Sequence, residues 1–220
     1  MIRSISKDEK LLRNTILSNL PTGNAFVGGQ VELAIDIAKK YLTDVKRKYD
    51  TGDNMYLHAL RVAVDVSDYA GKFGDNYRYD LVIIALLHDV IEDVDSPELR
   101  QALTEFRTGK NTVLEGILAL TNDEEKLAEL GKSKYMSVKF NDLSKNSDLF
   151  AIKLMDRIDN VASLKLLNTS EKEQELFVRS YLLETLVIYN NLCMNDFAVT
   201  NEAYKYYNEL VTMIISDYKF

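Results

Sequence analysis

Cysteine is almost missing: Cys193 is the only one in 220 residues, so no disulfide can form within the chain, and the usage fits a reducing compartment. Proline occurs twice, at Pro21 and Pro97, and glycine nine times, so little interrupts helix over most of the length. Histidine also occurs twice, as His58 and His88; any imidazole chemistry must use one or both. No apolar run approaches a bilayer's thickness. The longest, residues 81–87, falls far short of the ~20 residues a spanning helix needs. The opening residues Met-Ile-Arg-Ser-Ile-Ser lack the apolar core of a secretory signal. Positive charge is in deficit, with 27 Lys and Arg against 34 Asp and Glu and a net charge of -7. That balance disfavours nucleic acid and anionic membranes as partners, although a local basic pocket could still take a small anion. We therefore expect a soluble, cytoplasmic protein that binds neither nucleic acid nor membrane.

What is present is helical periodicity. Leu11, Leu12, Ile16 and Leu20 form one apolar stripe, ended by Pro21-Thr22-Gly23. Residues 30–49 carry a second, through Val31, Ala34, Ile35, Ala38, Leu42 and Val45. A third helix is expected over 57–73, and residues 80–91 are apolar almost all round, the mark of a central buried helix. Ser96-Pro97-Glu98 reads as a helix start, with serine as cap and proline at the first helical position. Further helices are expected over 113–120, 134–143, 149–167, from 170 to about 194, and over 202–218. Alternating strand pattern, repeats and linkers are not seen. The expected architecture is all-α, one domain over residues 1–220, with roughly nine to eleven helices.

The central helix ends Leu-Leu-His-Asp-Val-Ile-Glu-Asp over residues 86–93. On a regular helix His88, Asp89, Glu92 and Asp93 fall within an arc of about 140°. Three carboxylates crowded on the most hydrophobic helix repel one another and lose hydration, so either their proton affinities rise or a cation sits among them. Taken alone, the His-Asp pair has almost no specificity, and the pattern is better read as a core histidine followed by a helix end emerging into water. The rest of the chain changes the balance. His58 begins the preceding helix, and Asp156 follows an apolar run as Asp89 does, with Asn160 and Ser163 on its face at i+4 and i+7. Two imidazoles and two carboxylates suit a six-coordinate ion such as Mn²⁺, with water and a substrate oxygen completing it; tetrahedral structural zinc prefers more Cys and His.

This ordered set resembles the HD superfamily of metal-dependent phosphohydrolases. Residues 47–58, Arg-Lys-Tyr-Asp-Thr-Gly-Asp-Asn-Met-Tyr-Leu-His, are similar to the entry of the RelA/SpoT-type alarmone hydrolase domain, where an Arg-Lys pair precedes the first metal histidine by a short loop. Residues 86–93 carry its HDxxED signature, and residues 117–123 resemble the helix end before its flexible segment. Residues 152–160, Ile-Lys-Leu-Met-Asp-Arg-Ile-Asp-Asn, resemble its third motif. The likeness runs over about 29–167 and departs at Ala59, where the family commonly has proline, and at Asp159, where it often has His or Tyr. A hydrolase of this kind without a synthetase domain resembles a small alarmone hydrolase.

The resemblance implies an HD-domain helical bundle. It implies one divalent ion, Mn²⁺, held by His58, His88, Asp89 and Asp156, with Glu92 and Asp93 as the catalytic acidic pair. It implies that Arg47 stacks on a purine, that Lys48 faces phosphate, and that Asn160 and Ser163 meet ribose and phosphate. The implied reaction removes the 3′-pyrophosphate of (p)ppGpp. An adenine alarmone, the 2′-phosphate of NADPH, a nucleotidase substrate, or a non-catalytic nucleotide sensor are the alternatives; the intact acidic pair speaks against the last. The residues also have plainer readings. Lys46-Arg47-Lys48 suits the negative end of a helix dipole, Arg157 suits pairing with a neighbouring carboxylate, and Lys132 and Lys134 read as solvated charges.

Overall fold

The apolar run at residues 81–87 lies buried on every side in the computed structural model, which describes residues 5–47, 52–72, 78–106, 113–194 and 201–218. Residues 188–194 and 201–204 are described as backbone, so the Cys193 side chain lies outside the described set. Every regular element among the described residues is helical, and the single isolated β-bridge joins Lys46 and Asn54. The all-α expectation is met. No described helix is long and apolar enough to cross a membrane. The chain divides into two compact units, one of Ser6–Asn122 and the other of Asp123–Phe220 with Met1–Ile5.

The first unit contains α1 (Glu9–Ser18), α2 (Ala25–Leu42), α3 (Met55–Gly71), α4 (Tyr79–Leu87), α5 (Val90–Asp93), α6 (Pro97–Leu103) and α7 (Val113–Leu120). Helix α4 is its centre and packs on α2, α3 and α7. Leu81, Val82, Ile83, Ile84, Leu86 and Leu87 are each at most 1% exposed, and burying one such side chain contributes about 1.5–3 kcal/mol. Its first-turn carboxylate, Asp80, is buried but receives a bidentate pair from Arg78, at 2.9 and 2.7 Å. Helix α7 comes close enough to α4 that a Cβ on Gly116 would collide with the buried Ile84 side chain.

Two boundaries differ from the periodicity in ways that matter for the site. The helix expected over 80–91 is broken: α4 ends at Leu87, His88 and Asp89 form a turn, and α5 resumes for one turn. Asp89, at φ -101° and ψ -5°, sits in the sparsely populated bridge region that often holds functional residues. The helix expected over 30–49 runs instead over Ala25–Leu42, capped at its start by the Asn24 side chain. Arg47 therefore lies beyond the helix and not at its charged end. The chain then returns through the Lys46–Asn54 bridge, with Gly52 at φ 66°, a conformation glycine adopts without strain.

The second unit contains α8 (Glu124–Leu130), α9 (Lys132–Leu143), α10 (Ser147–Ser163) followed by a 3-10 turn at Leu164–Leu166, α11 (Lys172–Met194) and α12 (Asn201–Asp217). Helix α10 is its core and packs on α9 and α12. The hydroxyl of Tyr218 donates to the Val161 carbonyl at 2.6 Å, and Lys165 pairs with Asp217. Arg157 is buried, its guanidinium 4.4 Å over the Tyr181 ring and donating to Thr185 Oγ1 at 3.2 Å. The periodicity gave no sign of α8, which buries no residue; it is set by the Asp123 cap on Lys126 N–H and stopped by Gly131 at φ 73°.

Asn54 ties the loop to the site. Its side chain caps α3 by accepting from Leu57 N–H at 2.9 Å and donates to the Thr43 carbonyl at 3.1 Å, and its own carbonyl accepts from His58 N–H. Replacing Asn54 with Ala should lower the unfolding free energy by about 0.5–2 kcal/mol, the usual cost of losing such a cap. Urea denaturation followed by circular dichroism measures it; an unchanged midpoint would mean the cap does not hold the start of α3.

Candidate metal centre

His58 stands in the first turn of α3, and His88 closes α4 at its C-terminal cap. Both are 1% exposed. Their ring centroids are 5.3 Å apart, and each offers a ring nitrogen within 4.8 Å of the other's. The turn at Asp89 swings its carboxylate between them. Asp89 Oδ2 is 3.2 Å from His88 Nε2 and 3.6 Å from His58 Nε2.

The tautomer of His88 follows from its surroundings. Nδ1 lies 2.8 Å from the Ala85 carbonyl, which can only accept, so Nδ1 carries a proton and donates it. In the neutral ring Nε2 then presents a lone pair toward a carboxylate oxygen. Two acceptors at that distance repel unless a proton or a metal ion provides positive charge between them. A histidine that binds a metal through one ring nitrogen usually donates the other ring N–H to a carbonyl or carboxylate, as His88 does to the Ala85 carbonyl, and nitrogen and oxygen donors together suit a borderline divalent cation. The donor set fits such an ion.

Glu92 and Asp93 lie on α5, one turn beyond, and both residues are exposed overall. Burial of its carboxyl pushes Asp93 up to about 6, and Asp89 and Glu92 push the same way against the pull of His88 and His58. Glu92 Oε1 accepts from the Asn122 backbone N–H at 3.2 Å and from the Asn122 side-chain amide.

In the second unit, Asp156 of α10 is 4% exposed. Asn160 Nδ2 donates to its Oδ1 at 2.5 Å, and Lys153 Nζ is 2.7 Å from its Oδ2. The expected i+4 relation of Asp156 and Asn160 is thus a direct contact. Ser163 is buried, and its hydroxyl donates to the Asp159 carbonyl at 2.8 Å. Lys132 pairs with Glu184 at 2.7 Å.

In the first unit, the Arg47 side chain is 11% exposed and lies beside Asp53, with Nε 4.0 Å from its Oδ2. Asp53, whose side chain is fully buried, also takes a bidentate pair from Arg61 at 2.6 and 3.2 Å. Lys48 lies outside the described residues.

Sequence reasoning missed Asn122, Lys153, Asp53 and Arg61. Lys153 was legible as a cation one turn before Asp156. Asp53 and Arg61 stand at i and i+8, with only their charges to suggest a pair. Asn122 lies in the stretch 117–123 that resembles the family's helix end, but nothing there pointed to its partner Glu92, 30 residues away.

No family model matches the chain. It is similar to curated relatives, each of which it covers in small part. A probable guanosine-3′,5′-bis(diphosphate) 3′-pyrophosphohydrolase of Mycoplasma genitalium is 28% identical over 151 residues, 64% of this chain and 20% of the relative. A guanosine-3′,5′-bis(diphosphate) 3′-pyrophosphohydrolase of Aquifex aeolicus is 28% identical over 192 residues, 80% of this chain and 24% of the relative. A second probable enzyme of that name, from Mycoplasma pneumoniae, is 26% identical over 162 residues, 71% of this chain and 20% of the relative. The chain spans about a fifth to a quarter of the length of these relatives.

The Asp93 carboxyl should titrate with a midpoint of about 6 in metal-free protein, read by carbon NMR. Between the unfolded value of ~3.9 and that midpoint, the folded chain holds the proton more tightly than the unfolded chain. The contribution of Asp93 to stability is therefore fully present below that window and is lost as pH rises through it, modestly because the residue is partly solvated. Asp93→Asn should remove this component, and a divalent cation should lower the midpoint. A midpoint near ~3.9 that ignores added cation would contradict the site.

Proposed function

We propose that this chain is a divalent-metal-dependent phosphohydrolase that removes the 3′-pyrophosphate of (p)ppGpp, giving GDP or GTP and pyrophosphate, with Mn²⁺ as the ion. The carrying observation is the convergence of His58, His88 and Asp89, with the His88 lone pair aimed at the Asp89 carboxylate. The names of the similar proteins supply the substrate. In this reading the work is cytoplasmic and the partner is a small phosphorylated purine nucleotide.

His58, His88, Asp89 and Asp156 would hold the ion; the order of the motifs supports Asp156 as the fourth ligand. When bound, the ion supplies positive charge for the scissile phosphate and makes water more acidic. The water oxygen attacks the phosphorus attached to the 3′-oxygen, and the bond between that phosphorus and the 3′-oxygen breaks. The water gives up one proton and the leaving 3′-oxygen gains one. Asp93, whose carboxyl holds a proton at unusually high pH, receives the first of these. Glu92, steadied through Oε1, orients the water through its other oxygen.

Arg47 stacks its guanidinium on the purine, and Lys48 meets phosphate. The Ser163 hydroxyl, donating to the Asp159 carbonyl, accepts from the sugar. Asn160 donates to Asp156 and turns its amide oxygen toward the ribose.

Two experiments test the reading. Dialysed protein given ppGpp should release pyrophosphate with Mn²⁺ and stop with EDTA, with pyrophosphate and phosphate assayed separately. Cleavage of a different purine nucleotide while ppGpp stays intact would keep the chemistry and remove the alarmone; binding without cleavage would establish a sensor. The double variant Glu92→Gln, Asp93→Asn should keep Mn²⁺ and lose about 10²–10⁴-fold in turnover. Asp156→Asn should instead weaken Mn²⁺ binding at least about tenfold by isothermal calorimetry. Unchanged affinity would exclude Asp156 as a ligand.

A further inference from the structure

Glu92 is an exposed glutamate on a helix of one turn. A side chain with three rotatable bonds at such a place samples many rotamers, and fixing it costs conformational entropy. Yet two donors of one residue, the backbone N–H and the side-chain amide of Asn122, converge on Oε1. Two bonds to the same oxygen restrict both the reach and the rotation of the carboxylate, and leave Oε2 on its other side.

Asn122 is itself placed by the core. It follows α7, whose Val113, Ile117 and Leu120 are buried and whose Gly116 sits against Ile84 of α4. The last turn is closed by Thr121, whose N–H and hydroxyl both donate to the Ile117 carbonyl at 2.9 Å. The packing of α7 on the helix that ends in His88 thus sets where Asn122 stands, and Asn122 sets where Glu92 points.

We propose that Asn122 is a positioning residue for Glu92: it holds one carboxylate oxygen so that the other is presented in a fixed direction to the reacting water. This rests on the hydrolase reading above. Asn122 touches neither substrate nor metal in this scheme, so its loss should be felt in the rate of the chemical step and not in binding.

Asn122→Ala should lower kcat about 10- to 100-fold, the range expected when a catalytic group is misplaced by about an ångström. KM, Mn²⁺ affinity and the thermal unfolding midpoint should stay close to those of the unaltered protein. Asn122→Gln, which keeps the amide donor on a longer arm, should recover part of the rate. An unchanged kcat, or a loss that appears in KM or Mn²⁺ affinity instead, overturns the proposal. A readout independent of turnover judges the contact itself. The Asn122 side-chain amide protons should exchange slowly and shift downfield by NMR, and Glu92→Ala should abolish both signatures. If the unaltered protein cleaves no nucleotide, the hydrolase reading falls and these resonances still decide the clamp; resonances indifferent to Glu92→Ala overturn it.

Discussion

A carboxylate oxygen set within 3.2 and 3.6 Å of two buried imidazole nitrogens is the constraint on which the first unit turns. Burial of the two imidazoles makes repulsion among these groups costly, so a proton or a cation shared among them stabilises the arrangement. Much of the local architecture serves to hold it. Helix α4 is buried on every face and holds its C-cap residue, His88, in place, and the Ala85 carbonyl fixes the proton of His88 on the far nitrogen. His58 is held from the other side by the Asn54 cap at the start of α3. The turn at Asp89 breaks helical regularity at the point where the carboxylate meets the two imidazoles.

The same charge logic recurs around each functional candidate. Asp156 is buried against a cation, Lys153, and a neutral donor, Asn160. Asp53 is buried between Arg61 and Arg47. Breaking such a pair by removing one partner costs far more than the pair itself contributes, so these residues specify geometry more than they supply stability. The Arg47 side chain, 11% exposed with Nε 4.0 Å from Asp53 Oδ2, is oriented by a buried carboxylate, whereas an arginine at a solvated helix end would have no preferred orientation.

The fold was legible in the sequence wherever burial dominated. The stripes at 11–20, 57–73, 80–91 and 149–167 correspond to α1, α3, α4 and α10 because each buries an apolar face. Helix α8 escaped notice because it buries nothing and exists through a cap and a glycine stop. The second stripe was placed too late, since residues 25–30 are helical without a strong apolar face, and too long, since Val45 follows the helix as part of the bridge segment.

The site divides along a similar line. His58, His88 and Asp89 were legible because two histidines and one His-Asp pair leave few combinations, and the fold brings these three together. What the pattern could not carry was the break after Leu87: the 140° arc assumed a regular helix, and the observed turn gathers the same residues by a different route. The supporting residues were hidden for a physical reason. Asn122 meets Glu92 across 30 positions of chain, and Asp53 serves two arginines on separate segments, contacts that only the packing of α7 on α4 and the return of the loop through the Lys46–Asn54 bridge create. Residue type announces which groups can do chemistry, while their aim is set by neighbours whose own identity is unremarked in sequence.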